Sequence, residues 1–248
     1  MIKRIFSSEM LKSKRSFIFW AHFVSIIGFP ILLGGYYGSR YPAVHSTQII
    51  ISYYEFLAIL TPLAISIVTC VVFDREQKAG NFKNLLSLPE NKAVVIQIQL
   101  LYYWLLYAVV VLGSTVIYYF ILEYLFGLTM PSFYLLIITS LAFSLVAFFQ
   151  YELAYLITSV WNAGSGLVIG FFGSLLAILS ITVLLDKIWF FMPWSWQIRL
   201  IAFWQPGTLK NTQMLFWYAS KYIFCVILTI LILVISSIYY KRWTGKRS

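Results

Sequence analysis

Two carboxylic acids lie within long apolar stretches of the sequence, where an ionisable side chain is costly and marks a candidate functional site. Glu55 lies near one end of its stretch, so we expect it to form structural hydrogen bonds there. Glu152 lies deeper, beside Gln150, Tyr151 and Tyr155. For Glu152, a structural role and a functional one remain equally open.

Catalytic patterns are missing from the rest of the sequence. It has no HExxH, GxSxG or GxxxxGK[ST] motif, no paired aspartates in apolar stretches, and only two histidines, His22 and His45. Cys70 and Cys225 both fall in apolar stretches, which favours packing over a disulfide or a metal site. We therefore expect no catalytic residue, metal or cofactor in this chain, and any dependence on ATP must come from another polypeptide.

The amino-acid composition is that of a protein embedded in a membrane. Apolar residues make up 61% of the chain and charged residues only 10%, whereas a soluble domain carries about 25% charged residues. A helix needs about 20 mostly apolar residues to cross the hydrocarbon. Six such runs occur, at residues 17–37, 49–73, 94–122, 132–160, 167–185 and 214–240. The sequence predicts an all-α integral membrane protein, a single domain over residues 1–248, with six transmembrane helices.

The positive charges give the orientation. In a six-span topology, thirteen of the 18 Lys and Arg residues lie on one side: Lys3, Arg4, Lys12, Lys14, Arg15, Arg75, Lys78, Lys83, Lys92, Lys241, Arg242, Lys246 and Arg247. The positive-inside rule places both termini and residues 74–92 in the cytoplasm. The rule also accounts for the net charge, so we expect no nucleic acid partner.

Three shorter features surround the spans. Residues 1–16 place apolar side chains at helical spacing among cations, which predicts an interfacial helix with Lys3, Lys12, Lys14 and Arg15 near lipid headgroups. The glycine pairs Gly34/Gly38 and Gly166/Gly170 have the spacing of close helix packing, and the first pair equally fits a break at the end of its helix. Residues 186–213 are rich in tryptophan, which predicts short re-entrant or surface-lying helices on the outer side.

The long polar connection at residues 74–92 is the most informative segment. Asn81 follows the helix breaker Gly80 and is a good N-cap, and Pro89 ends what begins there, so a two-turn helix is predicted over residues 82–88. Its apolar residues are Phe82, Leu85, Leu86 and Leu88. This apolar face either rests on the chain's own helices or fills a groove on a soluble partner.

The order of these parts resembles the permease subunits of ABC transporters of the ABC-2 class, also called type V exporters. The resemblance rests on the basic segment of residues 9–16 and on six residues of the connection: Glu76, Gly80, Leu85, Leu86, Pro89 and Lys92. It implies a coupling helix that binds a separate ATPase, with two ATPase copies per transporter carrying ATP and Mg²⁺, and a second, similar or identical permease. The coupling residues implied are Glu76, Gly80, Asn81, Phe82, Leu85, Leu86, Leu88 and Pro89.

The compact length and aromatic character also look like the lantibiotic-immunity permeases of Gram-positive bacteria, which expel a peptide antibiotic from the producer's cell membrane. Glu152, Trp189, Trp194, Trp196 and Trp204 are the candidate contacts for such a substrate. The alternatives are an ABC-2 permease for another substrate, such as a drug, a lipid-linked molecule or a polymer precursor, and a non-transporting membrane sensor or scaffold. The family usually has a small hydroxyl residue where this chain has Asn81.

Overall fold

The computed structural model of the protein describes residues 2–14, 16–41, 43–86, 91–205, 208 and 211–245, without the side chains of residues 2, 84 and 86. Within these residues there is no strand, and six helices are long and apolar enough to cross a membrane. They are Phe17–Gly38, Ser46–Lys78, Lys92–Leu125, Phe133–Val160, Ala163–Ile181 and Thr212–Arg242. The predicted all-α membrane fold with six spans is confirmed.

The α-helices are numbered in chain order through the described residues. They are α1 (Ile2–Lys14), α2 (Phe17–Gly38), α3 (Ser46–Lys78), α4 (Lys83–Leu86), α5 (Lys92–Phe120), α6 (Phe133–Val160), α7 (Ala163–Ile181), α8 (Trp196–Leu200) and α9 (Thr212–Arg242). A π-helical turn, Ile121–Leu125, continues α5.

Three boundaries differ from the sequence prediction. The helix α3 continues through Pro62 and on to Lys78, so the first residues of the predicted 74–92 connection are helical. The turn between α6 and α7 is shorter than predicted, because Asn162 caps α7 in a capping box with Ser165. The fifth span ends at Ile181 and is followed by the 3-10 turn Val183–Leu185.

Close packing between α3 and α7 depends on glycine. A Cβ at Gly170 would lie 2.8 Å from the carbonyl oxygen of Pro62, and one at Gly166 would lie 3.3 Å from Cys70 Sγ. Gly34 and Gly38 similarly face the end of the α5 segment, where Ile121 occupies the space beside Gly34. The predicted packing role of both glycine pairs agrees with this arrangement.

The first and last spans lie at the edge of the bundle. Large apolar side chains point outward along α2, including Phe23 and Leu32, and along α9, including Ile223 and Ile238. Such an exposed apolar surface is suited to lipid rather than water. The amphipathic helix predicted at the start of the chain is present as α1, with Ile5 buried and Lys3, Arg4 and Lys14 exposed.

Both termini and the α3–α5 connection lie at the same end of the bundle. Glu9 in α1 forms an ion pair with Arg75 near the end of α3. At the other terminus, the ring of Trp243, just after α9, packs on the ring of Phe82 in the connection. We call this end of the bundle the basic side.

Candidate functional site

A tight reversal of the chain, residues 79–82, follows α3 at the basic side and is called the turn below. Gly80, Asn81 and Phe82 have φ angles of 121°, 53° and 64°. Glycine adopts such angles freely and asparagine tolerates them, but they are unfavourable for an aromatic residue. The backbone N–H of Asn81 donates to the Gln77 carbonyl at 2.7 Å, and that of Phe82 donates to the Glu76 carbonyl at 3.1 Å. These bonds satisfy the last carbonyls of α3 and fix the reversal.

The helix predicted after Gly80 begins later than expected. Asn81 has a left-handed backbone, whereas an N-cap residue is normally extended, so its backbone differs from the geometry expected of the predicted N-cap. The helix α4 starts at Lys83, and its described part is a single turn. Leu88 and Pro89 lie outside the described residues, as does the side chain of Leu86.

The apolar face of this segment packs on the chain itself. Phe82 is 2% exposed and Leu85 is 6% exposed, so both belong to the buried core. Of the two alternatives open from the sequence, the described residues fit the one in which the face rests on the chain's own helices. Among the described side chains of the turn and α4, Ala79, Gly80, Asn81 and Lys83 are exposed, and we call Gly80, Asn81 and Lys83 the exposed edge.

Phe82 of the turn packs into a group of five aromatic residues that we call the aromatic seat: Phe73, Phe82, Tyr155, Tyr240 and Trp243. The ring of Phe82 lies 5.9 Å from that of Phe73 and 5.0 Å from that of Trp243, edge to face in both cases. Each such pair contributes about 0.5–1.5 kcal/mol beyond area burial. The seat therefore fastens the turn to α3, α6 and the end of α9.

Beside the seat, four charged residues form the charge cluster: Glu9, Lys12, Arg75 and Glu76. Arg75 Nη2 donates to Glu9 Oε2 at 2.9 Å and to Glu76 Oε1 at 3.0 Å. Lys12 Nζ donates to Glu9 Oε1 at 2.8 Å and to Glu76 Oε1 at 3.0 Å. Both carboxylate side chains are only 4% exposed, whereas the Lys12 side chain is 37% exposed, so Lys12 covers the carboxylates on the solvent side. The cluster fastens α1 to the end of α3.

The surroundings of the cluster add hydrogen bonds. Arg75 Nη1 donates to the Tyr103 hydroxyl at 3.0 Å, and that hydroxyl donates to Glu9 Oε2 at 3.3 Å. Burial disfavours the charged form of Lys12, but the carboxylates of Glu9 and Glu76 outweigh it and raise the pKa of Lys12 above its ordinary value. Lys12 thus pairs with carboxylates rather than with the lipid headgroups predicted for it. Glu76 is too buried to touch another protein directly.

The seat and the cluster meet at one small cavity. It measures about 10 Å³ and is lined by Glu76 and Gln99 on the polar side and by Phe73, Phe82, Leu85, Ile96 and Trp243 on the apolar side. A cavity of this size holds about one water molecule at most. The turn, the charge cluster and the residue after α9 consequently form one packed joint.

Glu152 lies in a separate network. Its Oε2 accepts hydrogen bonds from Ser236 Oγ at 2.9 Å and from Gln97 Nε2 at 3.3 Å. The side chain is fully buried, and its Oε1 has no partner among the described residues. Glu152 therefore joins α5, α6 and α9, which fits the structural alternative left open by the sequence.

The aromatic segment before α9 contains the predicted short helical elements and packs into the bundle. It consists of the 3-10 turns Trp189–Phe191 and Pro193–Ser195, then α8, then the 3-10 turn Ile201–Trp204. Trp189 and Trp196 are almost completely buried, so neither offers a surface to a substrate in this conformation. Trp204 donates from Nε1 to Thr139 Oγ1 at 3.1 Å. Trp194 and Trp204 are the partly exposed tryptophans of the candidate set.

Two joint residues are not singled out by the sequence. Trp243 and Tyr103 carry no motif, and 19% of the chain is aromatic, so their types are uninformative alone. A buried hydrogen-bond bridge at Gln197 is likewise unexpected, with Nε2 donating to the Tyr107 hydroxyl at 2.9 Å and to the Phe143 carbonyl at 3.1 Å. An isolated glutamine within an aromatic segment is the one available signal for it.

The joint lies within the part of the chain that matches a known family. The family model described as ABC-2 family transporter protein matches residues 5–180. The chain belongs to this family. It is therefore a membrane permease subunit of an ABC transporter, and an ABC ATPase is the partner that membership implies. The match ends within α7, so the aromatic segment that precedes α9, α9 itself and Trp243 of this permease lie beyond it. No curated protein and no solved structure matches the chain.

Proposed function

We propose that the permease receives motion from its ATPase at the exposed edge of the turn and passes it to the spans during export. The observation that carries this proposal is the two-sided character of the turn. Its outer residues Gly80, Asn81 and Lys83 are exposed, whereas Phe82 and Leu85 are buried in the joint. ATP and Mg²⁺ are bound by the ATPase, and the permease itself carries out no catalysis.

The joint makes the turn an effective lever. Packed interiors transmit displacement because they resist deformation, and switching transitions commonly proceed by rigid-body movement of packed elements. A push on the exposed edge would act on α3 through the turn, on α1 through the charge cluster, and on α6 and α9 through the aromatic seat. The glutamate proposed from the sequence as a coupling residue, Glu76, then acts from inside the joint rather than by touching the ATPase.

The charge distribution supports a cytoplasmic position for the basic side. In the six-span topology, thirteen Lys and Arg residues lie on the basic side. Five lie on the opposite side: Arg40, Lys187, Arg199, Lys210 and Lys221. The side richer in Lys and Arg faces the cytoplasm in most membrane proteins. An ATPase can reach the exposed edge only in this orientation.

Charge reversal at the exposed edge tests the coupling contact. Lys83→Glu is expected to reduce recovery of the ATPase with tagged permease severalfold, while permease yield in the membrane stays at the wild-type level. Arg40→Glu, an exposed cation on the opposite side, is the matched control and should leave recovery unchanged. Equal recovery with wild-type and Lys83→Glu permease would argue against this contact. Leu85→Asp is unsuitable, because Leu85 is part of the core.

For the substrate, we propose a lantibiotic or similar amphipathic peptide that is expelled from the membrane of a Gram-positive cell, with a second, similar or identical permease completing the path. Support comes from the aromatic segment on the side opposite the turn, where the partly exposed Trp194 and Trp204 suit an amphipathic ligand at a membrane interface. Glu152 is buried among helices and is assigned to packing rather than to the path.

Peptide export tests the substrate proposal. Cells that express the permease with its ATPase should release a fluorescently labelled lanthionine peptide faster than cells with a hydrolysis-deficient ATPase. Trp204→Ala is expected to slow release, and Trp161→Ala, a largely exposed tryptophan near the basic side, serves as the control. Peptide release at the same rate with the hydrolysis-deficient ATPase would favour the sensor or scaffold alternative. ATP-dependent release of a different compound, but not of the peptide, would reject the peptide as substrate and leave the coupling function standing.

A further inference from the structure

Trp243, the residue that follows the last span, packs against the joint. The helix α9 ends at Arg242, and Trp243 has an extended backbone with φ −69° and ψ 132° that turns the chain out of the helical path. Although it lies near the end of the chain, Trp243 is only 6% exposed. An aromatic residue outside the helix that is this well covered is held by contacts with the surrounding elements.

Those contacts reach both ends of the α3–α5 connection. The ring of Trp243 packs edge to face on Phe82 in the turn, with 5.0 Å between centroids. Its carbonyl oxygen accepts a hydrogen bond from Lys92 Nζ, at the start of α5, at 3.2 Å. Trp243 therefore bridges the point where the chain leaves α3 and the point where it enters α5.

The turn needs such a bridge because its backbone is unfavourable. Phe82 has φ 64°, a conformation that bulky residues adopt only when the surroundings enforce it. Trp243 supplies one wall of the pocket that holds the Phe82 ring, and both rings line the water-sized cavity described above. Removing the indole would open that pocket and release the constraint on the turn.

We infer that Trp243 is a positioning residue that holds the exposed edge of the turn in the geometry in which it meets the ATPase. This inference rests on the proposed coupling function. It extends the coupling unit to the end of the last span, beyond the residues matched by the family model, so that α9 follows the turn as α3 does. A substitution at the far end of the chain should then act on a contact made at Lys83.

Hydrogen exchange tests the positioning directly and without reference to the ATPase. In purified full-length permease, Trp243→Ala should accelerate amide exchange in residues 79–86 about tenfold or more, with little change in α7. Trp243→Phe, which keeps an aromatic ring, should restore most of the protection. Trp161→Ala is the matched control, because Trp161 is 62% exposed. Unchanged exchange in residues 79–86 of Trp243→Ala would overturn the inference.

A second measurement links positioning to coupling. The ATP hydrolysis rate of the assembled transporter should fall severalfold with Trp243→Ala and recover with Trp243→Phe, while Trp161→Ala stays at the wild-type rate. Trp243→Leu provides a milder variant if Trp243→Ala fails to fold, and the same order of effects is expected from it. If Trp243→Ala accelerates amide exchange in residues 79–86 but leaves the ATP hydrolysis rate at the wild-type level, the inference is overturned. Failure of the wild-type chain to bind the ATPase at Lys83 would instead reject the coupling function itself.

Discussion

Arg75 is the residue on which the charge cluster depends most. It is the only cation of the cluster that also reaches Tyr103, and it pairs with two carboxylates that have little access to water. Removing one partner from a buried ion pair costs about 3–5 kcal/mol, because the remaining charges stay buried. The contribution of the charge cluster to the stability of the joint therefore depends mainly on this side chain.

Arg75→Met is expected to lower the free energy of unfolding by about 3 kcal/mol. The loss arises because Glu9 and Glu76 then share Lys12 alone. Thermal or denaturant unfolding of the purified permease in detergent measures it. Lys78→Met on the same helix is the control, since Lys78 pairs with Asp74 at the surface, with side chains 76% and 52% exposed, and surface pairs contribute at most about 1 kcal/mol. Equal losses in the two variants would show that the cluster does not contribute as described.

Glu152 provides a second test at the residue scale. Glu152→Leu removes the hydrogen bonds to Gln97 and Ser236 and should destabilise the permease by about 1 kcal/mol, the size of side-chain hydrogen bonds between membrane helices. Glu152→Gln keeps an acceptor for both donors, so its stability and peptide export should stay near the wild-type level. If Glu152→Gln folds normally but exports nothing, the carboxyl group has a functional role that packing does not explain.

At the scale of elements, the contact between α3 and α7 holds the spans together by close approach. Small residues permit this approach, and van der Waals packing then supplies the association energy that the hydrophobic effect does not provide in lipid. The same contact connects α3, the helix that leads into the turn, to the aromatic segment that precedes α9, since Trp194 packs beside Gly173 in α7.

Gly170→Ala should destabilise the permease by about 1–3 kcal/mol through overpacking. The added methyl group would meet the Pro62 carbonyl oxygen at 2.8 Å, and backbone cannot yield as a side chain does. Gly35→Ala is the control, because a Cβ there meets nothing within 4 Å, and alanine in a helix should be neutral or stabilising. The melting temperature of Gly170→Ala should therefore be lower than that of Gly35→Ala. Equal melting temperatures would refute the close contact between α3 and α7.

The elements differ in how well the sequence predicts them. Spans follow from long apolar runs, so all six are found, with ends that shift by a few residues. Composition does not show that α3 continues to Lys78, because polar residues at a membrane surface remain compatible with a helix. The helix α4 starts one residue later than predicted, and Asn81, which suits an N-cap position and also tolerates a left-handed backbone, adopts the left-handed conformation here.

At the scale of the whole molecule, the candidate site brings together residues that are far apart in the sequence. The residue types in the 74–92 connection indicate a partner. The sequence does not show that the apolar face of this connection packs on the chain itself, which the contacts of Phe82 with Phe73 and Trp243 establish. Pairs such as Glu9 with Arg75 depend on how α1 lies against α3, which no local pattern encodes. The prediction of an ATPase contact remains, now placed on the exposed edge.

The coupling function depends on the exposed edge facing the cytoplasm. A cysteine at Lys83, in a permease whose buried Cys70 and Cys225 are replaced by alanine, is labelled with a membrane-impermeant maleimide in intact cells and in inverted vesicles. Arg40→Cys reports on the opposite side. We predict that Lys83→Cys reacts only in inverted vesicles, that bound ATPase protects it, and that Arg40→Cys reacts in intact cells. Labelling of Lys83→Cys from the outside of intact cells would contradict both the topology and the coupling function.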